Sequence, residues 1–297
     1  MIPLGTWFDL IASGLITGSI YALVALGLNL QYGLMRILNI AHGEFLMLGA
    51  FLTWMMQASF GWNPILMIPV SFAVLMGLGI AIHWLCFRRL AATSPTLDIF
   101  EARGLMVAFG LMFLVQNLVN WVWGGDLRGY DFLTDPVKIG SSQFAPNKLL
   151  VFFLSVAFAL GMMVLLRMTL LGKGVRALMQ SPVGAQLMGI NTRQLHPLMF
   201  GIGLGLSGVA GCLLSMAYTI SPSMGEPYTI TALIVITLGG FGSMGGALAG
   251  GLLLGVVEAF GMHFTNPSLK ALLSYCVFIG VLLLKPEGLF TRKSRKV

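Results

Sequence analysis

Residues 10–32, LIASGLITGSIYALVALGLNLQY, run for 23 residues without one charged side chain. Coiled as a helix at about 1.5 Å of rise per residue, such a run crosses the roughly 30 Å hydrocarbon core of a bilayer. Similar apolar segments recur at 37–57, 64–87, 104–123, 148–166, 198–220 and 269–284, and a glycine-broken stretch occupies 231–262. Of the 297 residues, 57% are hydrophobic and 9% charged, against roughly 45–50% and 25% in soluble domains. That balance excludes the water-soluble classes. The fold class it predicts is all-α, a polytopic transmembrane helical bundle of about eight membrane segments that takes in 1–297 as a single domain.

The placement of charge predicts an orientation. Arg36, Arg88, Arg89, Arg103, Arg167, Lys173, Arg176, Arg193, Lys285, Arg292, Lys293, Arg295 and Lys296 fall at alternate ends of the apolar segments, and Arg128, Lys138, Lys148 and Lys270 at the others. The richer set belongs on the cytoplasmic side. The N-terminus is then external and the basic tail 285–297 cytoplasmic. The net charge of +7 is thus an inward-facing excess that calls for no nucleic-acid partner. MIPLGTWFDL at the start lacks a basic region and a small-residue cleavage site, so no removable signal peptide is expected.

This orientation constrains 231–262, which must cross the membrane an even number of times. Thirty-two residues fall short of the roughly forty that two full spans require. A hairpin of two short or tilted helices is expected, broken at Gly239, Gly240, Gly242, Gly245 and Gly246. Two readings of the break stand side by side. Broken backbone at membrane depth faces protein or a water-filled path, which would make it a pathway element together with Ser243. Alternatively it is a tight turn at the cytoplasmic surface, with close packing through Gly246/Gly250 and Gly251/Gly255.

Two long connections differ in kind. Residues 124–147, GGDLRGYDFLTDPVKIGSSQFAPN, mix turn formers with Asp126, Asp131 and Asp135 and read as a solvated external loop. Residues 167–197 are cytoplasmic and contain four basic residues and no acid. Within them Ser181 can cap a helix, Pro182 suits its first turn, and Gly189 suits the left-handed residue that ends it. A helix of about seven residues is unstable alone in water. It must dock, with Ala185 small enough for close approach and Val183, Leu187 and Met188 available for burial. The docking surface is either this protein's own cytoplasmic face or another chain.

The unusual polar cluster is NIAHGE, Asn39 to Glu44, within the second apolar segment. If that segment is helical throughout, Asn39, His42 and Gly43 share a face. An ionised Glu44 facing lipid would cost about 2.5–3.5 kcal/mol, so it should face protein or water. The cluster then lines a path, ties segments together, or meets another chain. Glu258 reads as an internal structural partner. Glu226, in SPSMGEPY on the external side, is either a solvated loop carboxylate or a contact for an external partner.

Chemistry is conspicuous by what the sequence lacks. It has no GxxxxGK[ST], since Lys173 in LLGKGV has neither the upstream glycine nor the following hydroxyl, and it has no GxSxG or HExxH. His42, His83, His196 and His263 are scattered, and Cys86, Cys212 and Cys276 lie in separate apolar runs without metal spacing. The expectation is a non-catalytic protein that binds no cofactor or metal itself.

Four stretches, in order, resemble the smaller permease of branched-chain amino acid ABC importers. They are LGLNLQYGLMRILNIAHGEFLMLGAF at 26–51, GKGVRALMQSPVGAQLMGINTRQL at 172–195, FGIGLGLSGVAGCLLSM at 200–216 and TALIVITLGGFGSMGGALAGGLLLGVVEAFG at 231–261. The resemblance implies a permease of the bacterial inner membrane that pairs with a second permease as a heterodimer. It further implies two cytoplasmic ATPase subunits, which hold the ATP and Mg, and a periplasmic solute-binding protein. By the same resemblance the 167–197 loop carries the coupling helix, giving Arg176, Ser181, Pro182, Ala185, Gly189, Ile190 and Asn191 as coupling residues. Asn39, His42, Glu44, Gly239, Gly240, Gly242 and Ser243 become candidates for the translocation path or the permease interface, and Glu226 for the binding-protein contact. Urea, short amides and small aromatic acids use similar permeases and remain alternative solutes. An ion-coupled transporter or channel, with His42 and Glu44 as a proton relay, is the rival from another class.

Overall fold

The computed structural model describes residues 4–139, 142–264, 266, 269–285 and 288–290. The extreme N-terminus and the tail 291–297, which carries four of the basic residues used for orientation, lie outside them. Helix α1 (Leu4–Met35) is followed by a non-helical return and α2 (His42–Phe60). A short 3₁₀ turn (Pro64–Leu66) leads into α3 (Met67–Ile82), a π-helical segment (His83–Phe87) and α4 (Arg88–Thr93), which together make one 30-residue apolar rod, Pro64–Thr93. Then come α5 (Leu97–Trp123), a two-stranded hairpin of β1 (Val137–Ile139) and β2 (Ser142–Phe144), and α6 (Pro146–Met168). The connection to the last third contains α7 (Leu170–Gln180) and α8 (Pro182–Leu187). It is followed by α9 (Thr192–Ala217), α10 (Gly225–Gly239), α11 (Met244–Phe264) and α12 (Lys270–Leu284).

Among the described residues six helical rods are long and apolar enough to cross a membrane, beginning at Thr6, Pro64, Leu97, Pro146, Thr192 and Met244, with a shorter apolar helix at Ala271–Leu284. These match the expected polytopic bundle, with three adjustments. The span expected at 37–57 is helical only from His42, because the chain turns at Arg36, in the left-handed region at φ 54°, and doubles back along α1. The hairpin expected at 231–262 starts earlier, at Gly225, and only its first arm is short. Fifteen residues of α10 cover about 22 Å, whereas α11 has 21. Third, the loop expected to be external holds more structure than an open coil: the β-hairpin and a backbone bridge between Arg128 and Ile220 pin it to the end of α9.

α9 is the axis of the bundle, buried from Met199 to Met216. Its sequence explains this. Lipid tails are as apolar as leucine, so helices in a membrane associate by close van der Waals packing, which small residues permit. Gly203 faces Gly27 of α1, Gly201 and Gly205 face Met76 and Phe72 of α3, and Gly211 faces Leu46 of α2. On α11 the paired glycines divide their work. Gly246 and Gly250 lie against Gly239 and Val235 of α10, while Gly251 and Gly255 lie against Ala22, Gly18 and Gly14 of α1. Glu258 completes this side, accepting hydrogen bonds from Tyr21 of α1, at 2.8 Å, and from Ser274 of α12. It is the internal tie that its sequence context suggested.

Candidate functional site

The return at 36–41 is what places the polar cluster. Asn39 donates to Gln31 Oε1 at 3.1 Å, and its carbonyl accepts the N–H of His42 at 3.1 Å, so the chain folds back beside α1 and starts α2 part-way along it. Asn39 therefore precedes the helix, and the face it was expected to share with His42 and Gly43 does not exist. The Nε2 of His42 lies 3.1 Å from Val24 O, a carbonyl that only accepts, so that nitrogen carries the proton. Ser207 of α9 donates to the His42 carbonyl at 2.9 Å, and the Gly43 N–H donates to Thr229 Oγ1 of α10 at 2.8 Å. Asn39, His42 and Gly43 thus tie α1, α2, α9 and α10.

Glu44 differs from both neighbours. It is fully buried, and neither carboxylate oxygen has a hydrogen-bond partner among the described residues. It abuts the backbone of Gly225, where a Cβ would stand 2.5 Å from its carboxyl carbon. Gly225 opens α10 just as His42 opens α2. Two helix N-termini, each with a partial positive charge, therefore converge on one carboxylate. The next residue, Glu226, is exposed, so the candidate binding-protein contact and the candidate path residue share one end of α10.

The other end of α10 holds the glycine break. Gly240 and Gly242 adopt φ 90° and 79°, which glycine reaches freely. Asn29 of α1 clamps the turn from both sides, accepting from the Gly242 N–H at 2.7 Å and donating to Ser243 O at 3.0 Å. Gly239 packs on Gly246. Gly239, Gly240, Gly242 and Ser243 thus form a clamped turn at the end of the bundle that also carries Met179 and Arg176 of α7; Gly242, Ser243, Met179 and Arg176 line one cavity of about 570 Å³. They are far along α10 from Glu44 and form no single site with it. Of the basic residues expected to share a side, Arg36, Arg88 and Arg193 line a neighbouring cavity that also includes Met179.

Between these cavities the 167–197 connection is ordered by local capping. Thr169 Oγ1 accepts from the Gly172 N–H, and Ser181 Oγ accepts from the Gly184 N–H, each at 3.1 Å. Pro182 occupies the first turn of α8, and Gly189 ends it at φ 78°. Ala185 is buried and its carbonyl accepts the Ile190 N–H at 3.0 Å, whereas Val183, Leu187 and Met188 are 68%, 83% and 83% exposed. Arg176 donates to Arg167 O at 3.2 Å, and Asn191 precedes α9 without a side-chain cap. At the opposite end, burial lifts the phenol of Tyr130 above its usual range, and it shares a 3.0 Å hydrogen bond with Ser215.

The site residues the sequence did not single out are Asn29, Ser207 and Thr229. Each is a polar residue inside an apolar run, which was the available signal, but each acts on a segment distant in sequence. Thr229→Val keeps the shape and removes the acceptor for the buried Gly43 N–H. Leaving such a donor unpaired costs about 1–3 kcal/mol, so the variant should melt several degrees lower in detergent; an unchanged melting temperature would show that this bond does not hold α2 to α10.

Comparison with known proteins agrees with this architecture. Residues 10–282 match the family model described as branched-chain amino acid transport system / permease component. The chain is 30% identical over 291 residues to the high-affinity branched-chain amino acid transport system permease protein LivH of Salmonella typhimurium, covering 94% of each chain. It is 30% identical over 292 residues to BraD, the corresponding permease protein of Pseudomonas aeruginosa, covering 95% of each. A more distant likeness, 23% over 300 residues, extends to LivM of Escherichia coli across 91% of this chain and 67% of that one. A multi-pass helical bundle with glycine-packed helices and a match over nearly its whole length, this chain belongs to the branched-chain amino acid transport system permease family.

Proposed function

We propose that this chain is the smaller membrane subunit of a binding-protein-dependent ABC importer of branched-chain amino acids, working beside a second permease and two ATPase subunits. The observation that carries the reading is α8. Its Ser181 cap, Pro182 start and Gly189 stop hold a two-turn helix whose three large apolar side chains touch little of this chain. Surfaces of that kind at the end of a bundle serve a protein partner. Here the partner is the ATPase, and Arg176, Ile190 and Asn191 frame the contact. The loop end of the bundle is then cytoplasmic, in line with the clustering of its arginines, and the protein resides in the inner membrane.

Solute released by the external binding protein, near Glu226, passes the junction of α2 and α10. There Glu44 supplies a buried carboxylate, neither oxygen of which has a hydrogen-bond partner among the described residues, suited to an amino acid's ammonium group. Closure of the ATPases moves α8, α7 follows, and the turn at Gly239–Ser243, clamped on α1, passes the movement to α10. The chain contributes no catalytic group, and ATP is hydrolysed by the partner subunits.

The purified chain should neither bind nor hydrolyse ATP. Joined to its ATPase subunits and second permease, it should support hydrolysis stimulated by the loaded binding protein. Glu44→Gln, which keeps size and removes charge, should leave assembly intact and lower uptake at least about tenfold, the worth of a charge-assisted bond. Full uptake by this variant would remove Glu44 from the path.

A further inference from the structure

The arginines of the cavity that holds Arg36, Arg88 and Arg193 take no part in the solute passage just described. The cavity measures about 590 Å³ and is bounded by the ends of α1, α5, α7 and α9, by the π-helical segment and α4, and by Pro182 at the start of α8. Its cationic character is unopposed. No Asp or Glu is among its described lining residues, and no carboxylate among the described residues comes within 4.0 Å of any of the three arginines. Arg88 is held in place by stacking, its guanidinium carbon 4.1 Å from the centre of the Trp84 ring. Arg36 is held at φ 54°, a conformation that a non-glycine residue rarely adopts. His83 is 93% buried on the cavity wall (7% exposed) and its Nδ1 has no hydrogen-bond partner among the described residues.

The remaining wall is apolar, including Trp84 and Phe100. It adjoins the outer faces of α3, the π-helical segment and α5, where Val74, Leu78, Leu85, Met106 and Phe109 are exposed and fit a lipid environment. The exposed residues of α8, Val183, Leu187 and Met188, do not line it. A pocket that is cationic at one end and apolar at the other, at the border between the arginine-rich end of the bundle and its apolar flank, matches a phosphate with acyl chains attached. We propose that this cavity seats the headgroup of an anionic phospholipid, with Arg36, Arg88 and Arg193 around the phosphate and an acyl chain along Trp84 and Phe100. The proposal requires only that the bundle sits in a bilayer and stands apart from the identity of the transported solute.

The test uses the full-length protein in phosphatidylcholine nanodiscs carrying a minor fraction of brominated lipid, with Trp84 emission obtained as the difference between the native chain and Trp84→Phe. Brominated phosphatidylglycerol should quench Trp84 at least about fivefold more effectively than brominated phosphatidylcholine at the same mole fraction, since each basic residue contributes roughly a factor of five to anionic-lipid binding. The double variant Arg88→Gln/Arg193→Gln should lose this preference, Arg193→Gln alone should lose part of it, and Arg88→Lys should keep it. All three altered positions are exposed or half-buried, and an unshifted melting temperature confirms the fold. Equal quenching by the two lipids, or a preference that survives the double variant, overturns the proposal. Loss of the phosphatidylglycerol effect on adding inorganic phosphate at constant ionic strength assigns the cavity to a free anion and overturns the lipid as its occupant.

Discussion

Replacing Val183, Leu187 and Met188 together by serine is expected to abolish ATP-driven uptake while leaving the chain folded and inserted in the membrane. These side chains are 68%, 83% and 83% exposed, so their removal takes nothing from the core. The helix itself survives, because its cap, its proline and its terminal Gly189 are untouched. What is lost is the apolar surface offered to the ATPase. Burial of a residue of this size contributes about 1.5–3 kcal/mol, so three of them amount to a weakening of at least about a thousandfold. Co-purification of the ATPase subunits is the direct measurement. If the triple variant retains them and transports normally, α8 does not couple the two. Gly189→Val should act in the same direction more weakly. No atom lies within 4 Å of the position where its Cβ would sit, so the cost arises from φ alone, about 1–2 kcal/mol.

Gly211→Val is expected to prevent the bundle from assembling. A Cβ there would stand 1.9 Å from the carbonyl oxygen of Leu46 and 2.9 Å from Ala50 N. Both are backbone atoms of α2, so no side chain can rotate away and the helices must part. Separation of α2 from the axis also breaks the Ser207 bond that holds the start of α2. The expected result is loss of monodisperse protein in detergent and rapid proteolysis. Gly77→Ala, on α3, is the control: no atom lies within 4 Å of its Cβ position, and helix propensity makes the change neutral or favourable by up to about 1 kcal/mol. A Gly211→Val protein that melts like the parent would contradict the packing described for α9.

How much of this was legible in the sequence follows from the range of the interactions. Ser181, Pro182 and Gly189 were readable because capping and left-handed termination act within one turn. Gly246/Gly250 and Gly251/Gly255 were readable as close-packing pairs, but not that the first faces α10 and the second α1, since partner choice is tertiary. The start of α2 was misplaced because composition alone does not separate ILNIAHG as helix from the same residues extended. The deciding contacts, Asn39 to Gln31 and His42 to Val24, form only once the chain has folded back. That Glu44 has no hydrogen-bond partner among the described residues, and that Arg36, Arg88 and Arg193 share a wall, are juxtapositions across the whole fold that no local pattern encodes. The glycine turn offered two sequence readings; Asn29 holds it as a clamped turn at the arginine-rich end of the bundle.

Uptake of labelled leucine into proteoliposomes, with this chain reconstituted beside its second permease, its ATPase subunits and its binding protein, tests the transport assignment at its root. The expected result is accumulation that requires internal ATP and the loaded binding protein, and that a proton gradient neither drives nor replaces. Accumulation driven by a proton gradient in vesicles containing this chain without an ATPase would contradict it and would return His42 and Glu44 to the role of a proton relay.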